Sequence, residues 1–261
     1  MKIKPFKNII NSEAGFLKKE ISLYALIILL FFSSFIIPDN EKIKSKYKDI
    51  FKEDYSDALN YFKENYLLFH KIFKQNDVDE DILIPVVFPE RIRYSVIRNY
   101  LETETMKILY KKYGSDAVDF SIGDLQMKPS FAENIENIIL NNSVFKEKYA
   151  ILIIKKENRE SEREERIRRL ELLPYQIFYL SVFYEIVYQK FTIADYTKED
   201  KIKFIASAYN HGFESSKKRI EEHIDVEFFP YGKKYPGKQY AYTDVSVDFY
   251  KNYYLEIAKK Y

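Results

Sequence analysis

Between residues 41 and 75 the apolar positions Ile50, Phe51, Tyr55, Leu59 and Phe62 recur at steps of three and four, the period of a helix with one buried face. An acidic turn over Gln75–Asp81 follows. The run ILIPVVFPERIRYS, Ile82–Ser95, is then apolar as far as Pro89 and ends in a carboxylate, Glu90. Helical spacing resumes over 91–113 and closes at Gly114. It resumes again over 131–148, 175–191 and 198–209, the last ending near Gly212, and in a final helix that runs to Tyr261. The charged stretch 155–169, KKENRESEREERIRR, interleaves both signs. Glu162–Arg166, Glu164–Arg168 and Glu165–Arg169 stand four apart in the favourable order, which predicts a solvated helix. Leu173-Pro174 breaks it, and Phe228–Gly237 reads as a loop rich in Pro, Gly and Tyr. Strand signals are sparse, so the pattern predicts an all-α single domain over residues 39–261.

One segment departs from amphipathic spacing altogether. Ile21–Ile37, ISLYALIILLFFSSFII, has 17 residues and no charge. A spanning helix needs about 20 residues, with about 17 as the lower edge. The apolar core is longer than that of a secretory signal, and no small-residue cleavage site follows it. The reading is a leader over 1–20 and an uncleaved membrane anchor over 21–38; a cleaved signal is the alternative.

Composition narrows the function classes. A net charge of +2 gives no field that would favour nucleic acid, and none is expected as a partner. Cys is absent and the three His are scattered, so neither a metal site nor a cofactor is expected. The many Tyr and Phe side chains fill a core and leave some rings for a flat ligand.

Chemistry gathers at three places: Glu90 at the end of its apolar run, the loop SIGDLQMKPSFA (Ser121–Ala132), and AYNHG (Ala208–Gly212) at a helix end. In the loop, Gly123, Gln126 and Pro129 fall at i, i+3 and i+6, a regularity that a mere linker does not need. In this order the three resemble the lysozyme-like lytic transglycosylases, which are similar to goose-type lysozyme. That family shows a catalytic Glu after an apolar helix, then G-L-M-Q-x-x-P, then A-Y-N-x-G. Here the second element reads GDLQMKP and the third AYNHG, and Tyr179-Leu180 fits the helix ahead of the third. The resemblance covers roughly residues 80–250. Two departures stand out: the stretch from Glu90 to Gln126 is longer than the family's, and Arg91 replaces its Ser beside the Glu. Glu102 and Glu104 are therefore alternative acids.

The resemblance implies a lysozyme-like fold and cleavage of the MurNAc–GlcNAc bond of peptidoglycan by one carboxylate. The substrate's N-acetyl group would assist, and the product would be a 1,6-anhydro sugar. It implies substrate-binding roles for Ser121, Gly123, Gln126, Met127, Tyr209, Asn210 and Tyr242, with Tyr240 the alternative to Tyr242. Gly123 would let backbone approach a sugar. Gln126 would offer a donor and an acceptor to an acetamido group, Met127 an adaptable wall, and Tyr209 a hydroxyl to hold Glu90. His211 reads as a solvent-facing cap. Together with the anchor, the resemblance implies an inner-membrane, single-pass protein whose domain faces the periplasm, with glycan strands as partner. A hydrolase would need a second carboxylate, for which Asp116, Asp119 and Asp124 are candidates. Burial of Glu90 against Val86, Val87 and Phe88 would raise its pKa; a new helix starting at Pro89 would oppose that shift.

Overall fold

The structure is a computed structural model that describes residues 45–96 and 100–260; for residues 96 and 100–102 only the backbone is described. The leader and anchor over 1–38 lie outside the described residues. Among those described, no helix is long and apolar enough to cross a membrane.

The chain is mostly helical. Its helices are α1 (Lys46–Gln75), α2 (Glu80–Val96), α3 (Tyr100–Tyr113), α4 (Pro129–Asn141), α5 (Ser143–Lys148), α6 (Arg159–Leu170), α7 (Leu173–Lys190), α8 (Lys198–His211), α9 (Lys217–Glu222), α10 (Tyr242–Phe249) and α11 (Leu255–Ala258). A π-helical segment, Tyr250–Tyr254, joins the last two. Two short strands that the sequence did not announce, β1 (Glu227–Phe229) and β2 (Tyr240–Ala241), pair antiparallel.

Helix α1 buries Tyr55, Leu59, Phe62, Tyr66, Phe69 and Phe73 along one face, as the spacing predicts, and bends at Lys52, where φ is 47°. Helix α2 has no polar face over Ile82–Glu90: every residue there is buried. It is the central helix and packs against α1, α8 and α10. Pro85 and Pro89 both lie inside it. Each removes one rung of the hydrogen-bond ladder, and burial on all sides holds the helix together. No new helix starts at Pro89, so Glu90 lies far from the positive end of the α2 dipole, whose influence is confined to the first turn.

Other boundaries move for local reasons. The expected helix over 131–148 divides at Asn142, whose side chain caps α5 by accepting from Val144 N and Phe145 N at 3.0 and 3.1 Å. Helix α6 is not solvated all round: Arg166, Ile167, Arg169 and Leu170 are buried. Of the three expected pairs, Glu165–Arg169 forms at 2.9 Å. Arg168 pairs with Glu165, three residues back, and Glu164 pairs with Lys111. Hydrogen bonds from Arg168, then Arg169, hold Glu165 down at a pKa of about 2. Arg166 turns to α4, meeting Glu136 at 2.6 Å and Glu133 at 3.1 Å.

Candidate functional site

The loop after α3 folds back as a tight hairpin. Ile122 N donates to Met127 O at 2.8 Å, and Met127 N to Ile122 O at 3.0 Å. Gly123 and Gln126 both take positive φ, 71° and 49°. Pro129 then opens α4 at its first turn, where its missing N–H costs nothing. The regular spacing of Gly123, Gln126 and Pro129 is thus the spacing of a turn that feeds a helix.

That geometry bears on two expected roles. A Cβ on Gly123 would fall on the Gln176 amide and the Leu170 carbonyl. Gly123 therefore permits close approach of protein, not of a sugar. Gln126 donates from Nε2 to Gly123 O at 2.9 Å, so part of its amide closes the turn and its remaining surface faces the cleft. Fully buried Gln176 on α7 fastens the hairpin from below. It accepts from Leu125 N at 3.2 Å and donates to Ile122 O at 3.0 Å and Leu170 O at 2.8 Å. From the other side Arg91 bonds Asp124 at 2.7 Å. The residue that departs from the resemblance is a strut between α2 and the hairpin.

Across the hairpin, Glu90, Arg93, Ser121, Gln126, Met127 and Tyr209 share one open cleft with Lys128, Phe131 and Asn210; its volume, mouth included, is about 350 Å³. Six of the eight site residues expected from the sequence thus converge there by way of three separate segments: Glu90 from α2, Ser121, Gln126 and Met127 from the hairpin, and Tyr209 with Asn210 from the end of α8. Gly123 and Tyr242 do not line it. Tyr242 is buried beneath, donating to Val86 O at 2.9 Å with its hydroxyl beside Glu90. Tyr240 instead packs its ring against Tyr47 and Phe51.

Tyr209 does not hold Glu90 by a hydrogen bond: its hydroxyl donates to Leu125 O at 2.9 Å and so fastens the hairpin to α8. The group that holds Glu90 is one the sequence reading missed. Arg93, one turn further along α2, places Nη1 3.0 Å from each Glu90 oxygen, and its Nη2 donates to Asn210 Oδ1 at 3.1 Å. Burial pushes the Glu90 carboxyl above its usual range, against the opposing pull of Arg93 and Tyr242. Burial likewise keeps the Tyr209 and Tyr242 hydroxyls well above the usual phenol range, and the nearby Glu90 adds to it.

The alternative carboxylates sit elsewhere. Glu104 pairs with Lys107, and the Glu102 side chain lies outside the described residues. Asp119 accepts from Ser130 at the start of α4, Asp124 is held by Arg91, and Asp116 is exposed. Glu90 is the one carboxylate among the described residues lining the cleft. No group of His, Asp and Glu among the described residues is arranged to hold a metal ion. His211 is half-buried rather than free in solvent, its ring stacked on His223 at 3.5 Å.

Scans against protein-family models, curated proteins and solved structures return no match.

Proposed function

We propose that the helical domain has a lysozyme-like fold and is a peptidoglycan lytic transglycosylase with Glu90 as its acid and base. The observation that carries the reading is the convergence of Glu90, the Ser121–Met127 hairpin and Tyr209-Asn210 on one cleft, although they are far apart in sequence. A buried carboxyl with a raised pKa can keep a proton for a glycosidic oxygen. Among the described residues Glu90 is the one carboxylate in the lining, which supports a route in which the bond is broken with help from the substrate's own acetamido group. Glu90, left as carboxylate, then takes the proton of the C6 hydroxyl, which closes the 1,6-anhydro ring. An intramolecular nucleophile is already in place, an advantage worth up to about 7–11 kcal/mol in well-aligned cases. Residues 21–38 would hold the domain at the periplasmic face of the inner membrane, where glycan strands are its substrate.

The test is digestion of purified sacculi with mass spectrometry of the released muropeptides. The expected product is lighter by one water than a reducing disaccharide-peptide, and Glu90→Gln should lower turnover about 10²–10⁴-fold. Only hydrated products would make the protein a muramidase instead. A second reading, glycan binding without turnover, is favoured by the ion pair that Arg93 makes with Glu90; it predicts pelleting with sacculi and no release.

A further inference from the structure

We propose that Arg93 is a positioning residue that binds a carboxylate on the glycan and, by leaving Glu90 to do so, readies Glu90 as the proton donor. The ligand class is an acidic amino sugar, its carboxylate carried on the sugar's own acid arm or on an attached peptide. This deepens the proposed function and rests on it.

Three features of the cleft point this way. First, Arg93 is the accessible member of the pair, with a side chain 20% exposed against 2% for Glu90, so an entering ligand meets the cation first. Second, the guanidinium is seated by surfaces other than its carboxylate partner. Its carbon lies 5.3 Å from the Phe229 ring and 5.6 Å from the Tyr242 ring, and Nη2 is held by Asn210. A planar five-donor fork on such a seat can turn from one carboxylate to another while its other contacts persist. Third, the opposite wall carries a second cation, Lys128, exposed and only loosely paired with Asp119 at 3.4 Å. Among the described residues lining the cleft, the two cations Arg93 and Lys128 are the more exposed and the one acid, Glu90, is buried, an arrangement that complements an anionic ligand.

The consequence for Glu90 follows from burial. While Arg93 is in place, its charge offsets part of the desolvation. Once Arg93 turns to a ligand carboxylate, a bare buried anion remains, and such a group takes a proton instead. The other groups that face Glu90 are the Tyr209 hydroxyl from α8, the Tyr242 hydroxyl from α10 and the Lys128 ammonium at the hairpin exit. Both phenols stay neutral in the neutral range, so Glu90 is the group that responds. Charge balances: one ligand carboxylate enters, and up to one proton comes with it from solvent to the Glu90 carboxylate.

The experiment follows Glu90 in the full chain by carboxyl-labelled NMR, its signal assigned with Glu90→Gln. Three probes are compared: N-acetylglucosamine, which is neutral; N-acetylmuramic acid, with its carboxylate on the lactyl arm; and N-acetylmuramoyl dipeptide, with its carboxylate on the peptide. At least one acidic probe should raise the Glu90 titration midpoint by about one pH unit, a tenfold change in proton affinity, and the neutral probe should not. Which acidic probe acts identifies the source of the carboxylate. Arg93→Gln should raise the midpoint with no probe present and abolish the response; Arg93→Lys should restore part of both. A midpoint unmoved by either acidic probe, an equal shift with the neutral one, or an unchanged midpoint in Arg93→Gln overturns the exchange. Sacculus digestion separates this from the parent reading. A shift without turnover upholds the exchange and removes the catalytic role, whereas turnover with an unmoved midpoint does the reverse.

Discussion

Glu90 carries its charge at a cost to the fold. Its pKa in the folded protein is raised above the value of 4.5 expected for an unfolded chain. The neutral form is therefore the one that the fold favours: this contribution is fully present below about pH 4.5 and is lost as pH rises through the folded value. Glu90→Gln removes the titration and keeps an acceptor for Arg93. In urea unfolding the variant should stand highest relative to the parent near pH 8, and the gap should shrink as pH falls to 4. A gap that stays constant over that range would mean that burial does not control this carboxyl. Glu90 was legible in the sequence because a lone carboxylate closing an apolar run is conspicuous. Arg93 was not, because an acid followed three residues later by a base is ordinary on a solvated helix. Only the burial of the acid turns that pair into part of a site.

At the scale of elements, the hairpin and the helix α6 each depend on one side chain that reaches another element. Gly123→Ala would hold a non-glycine residue at φ 71° and drive its methyl group into the Gln176 amide. A loss on the order of 2 kcal/mol is expected, which lowers the melting temperature by about 4–8 °C for a domain of this size. An undisturbed melt would mean that the hairpin is not clamped from below. Arg166 bridges Glu136 on α4, and Tyr179 on α7 bonds the same carboxylate at 2.5 Å. Arg166→Ala leaves Glu136 buried without its cation and should cost about 3–5 kcal/mol; replacing both members with Met should recover most of it. Calorimetry on the single and double variants checks the coupling. The long helices were legible from their apolar spacing. The depth of α6 was not, since the partner of Arg166 lies 30 residues away and a charge-rich segment reads as solvated until that partner is placed. The two strands escaped because runs of three and two residues carry no period.

Over the whole described domain, one acid joins the beginning of the fold to its end. Asp248 on α10 accepts from Ser45 at 2.6 Å and from the fully buried Tyr55 at 2.9 Å, while Ser45 in turn caps α1 through Lys48 N at 3.0 Å. Asp248→Ala would strand two hydroxyls and should cost on the order of 2–3 kcal/mol, read as a lower urea midpoint with an unchanged slope. An unchanged midpoint would make the contact incidental. The position of Ser45 gives the same contact a mechanical meaning. Any tension that reaches the domain through the residues before Ser45 arrives first at a clasp 203 positions away along the chain. Such a pull is met by the hydroxyl–carboxylate bond and the α10 helix behind it before it can peel α1 away turn by turn from its capped end. A force-spectroscopy trace pulled from residue 45 should accordingly rise to a single early peak, and Asp248→Ala should flatten it into gradual unzipping.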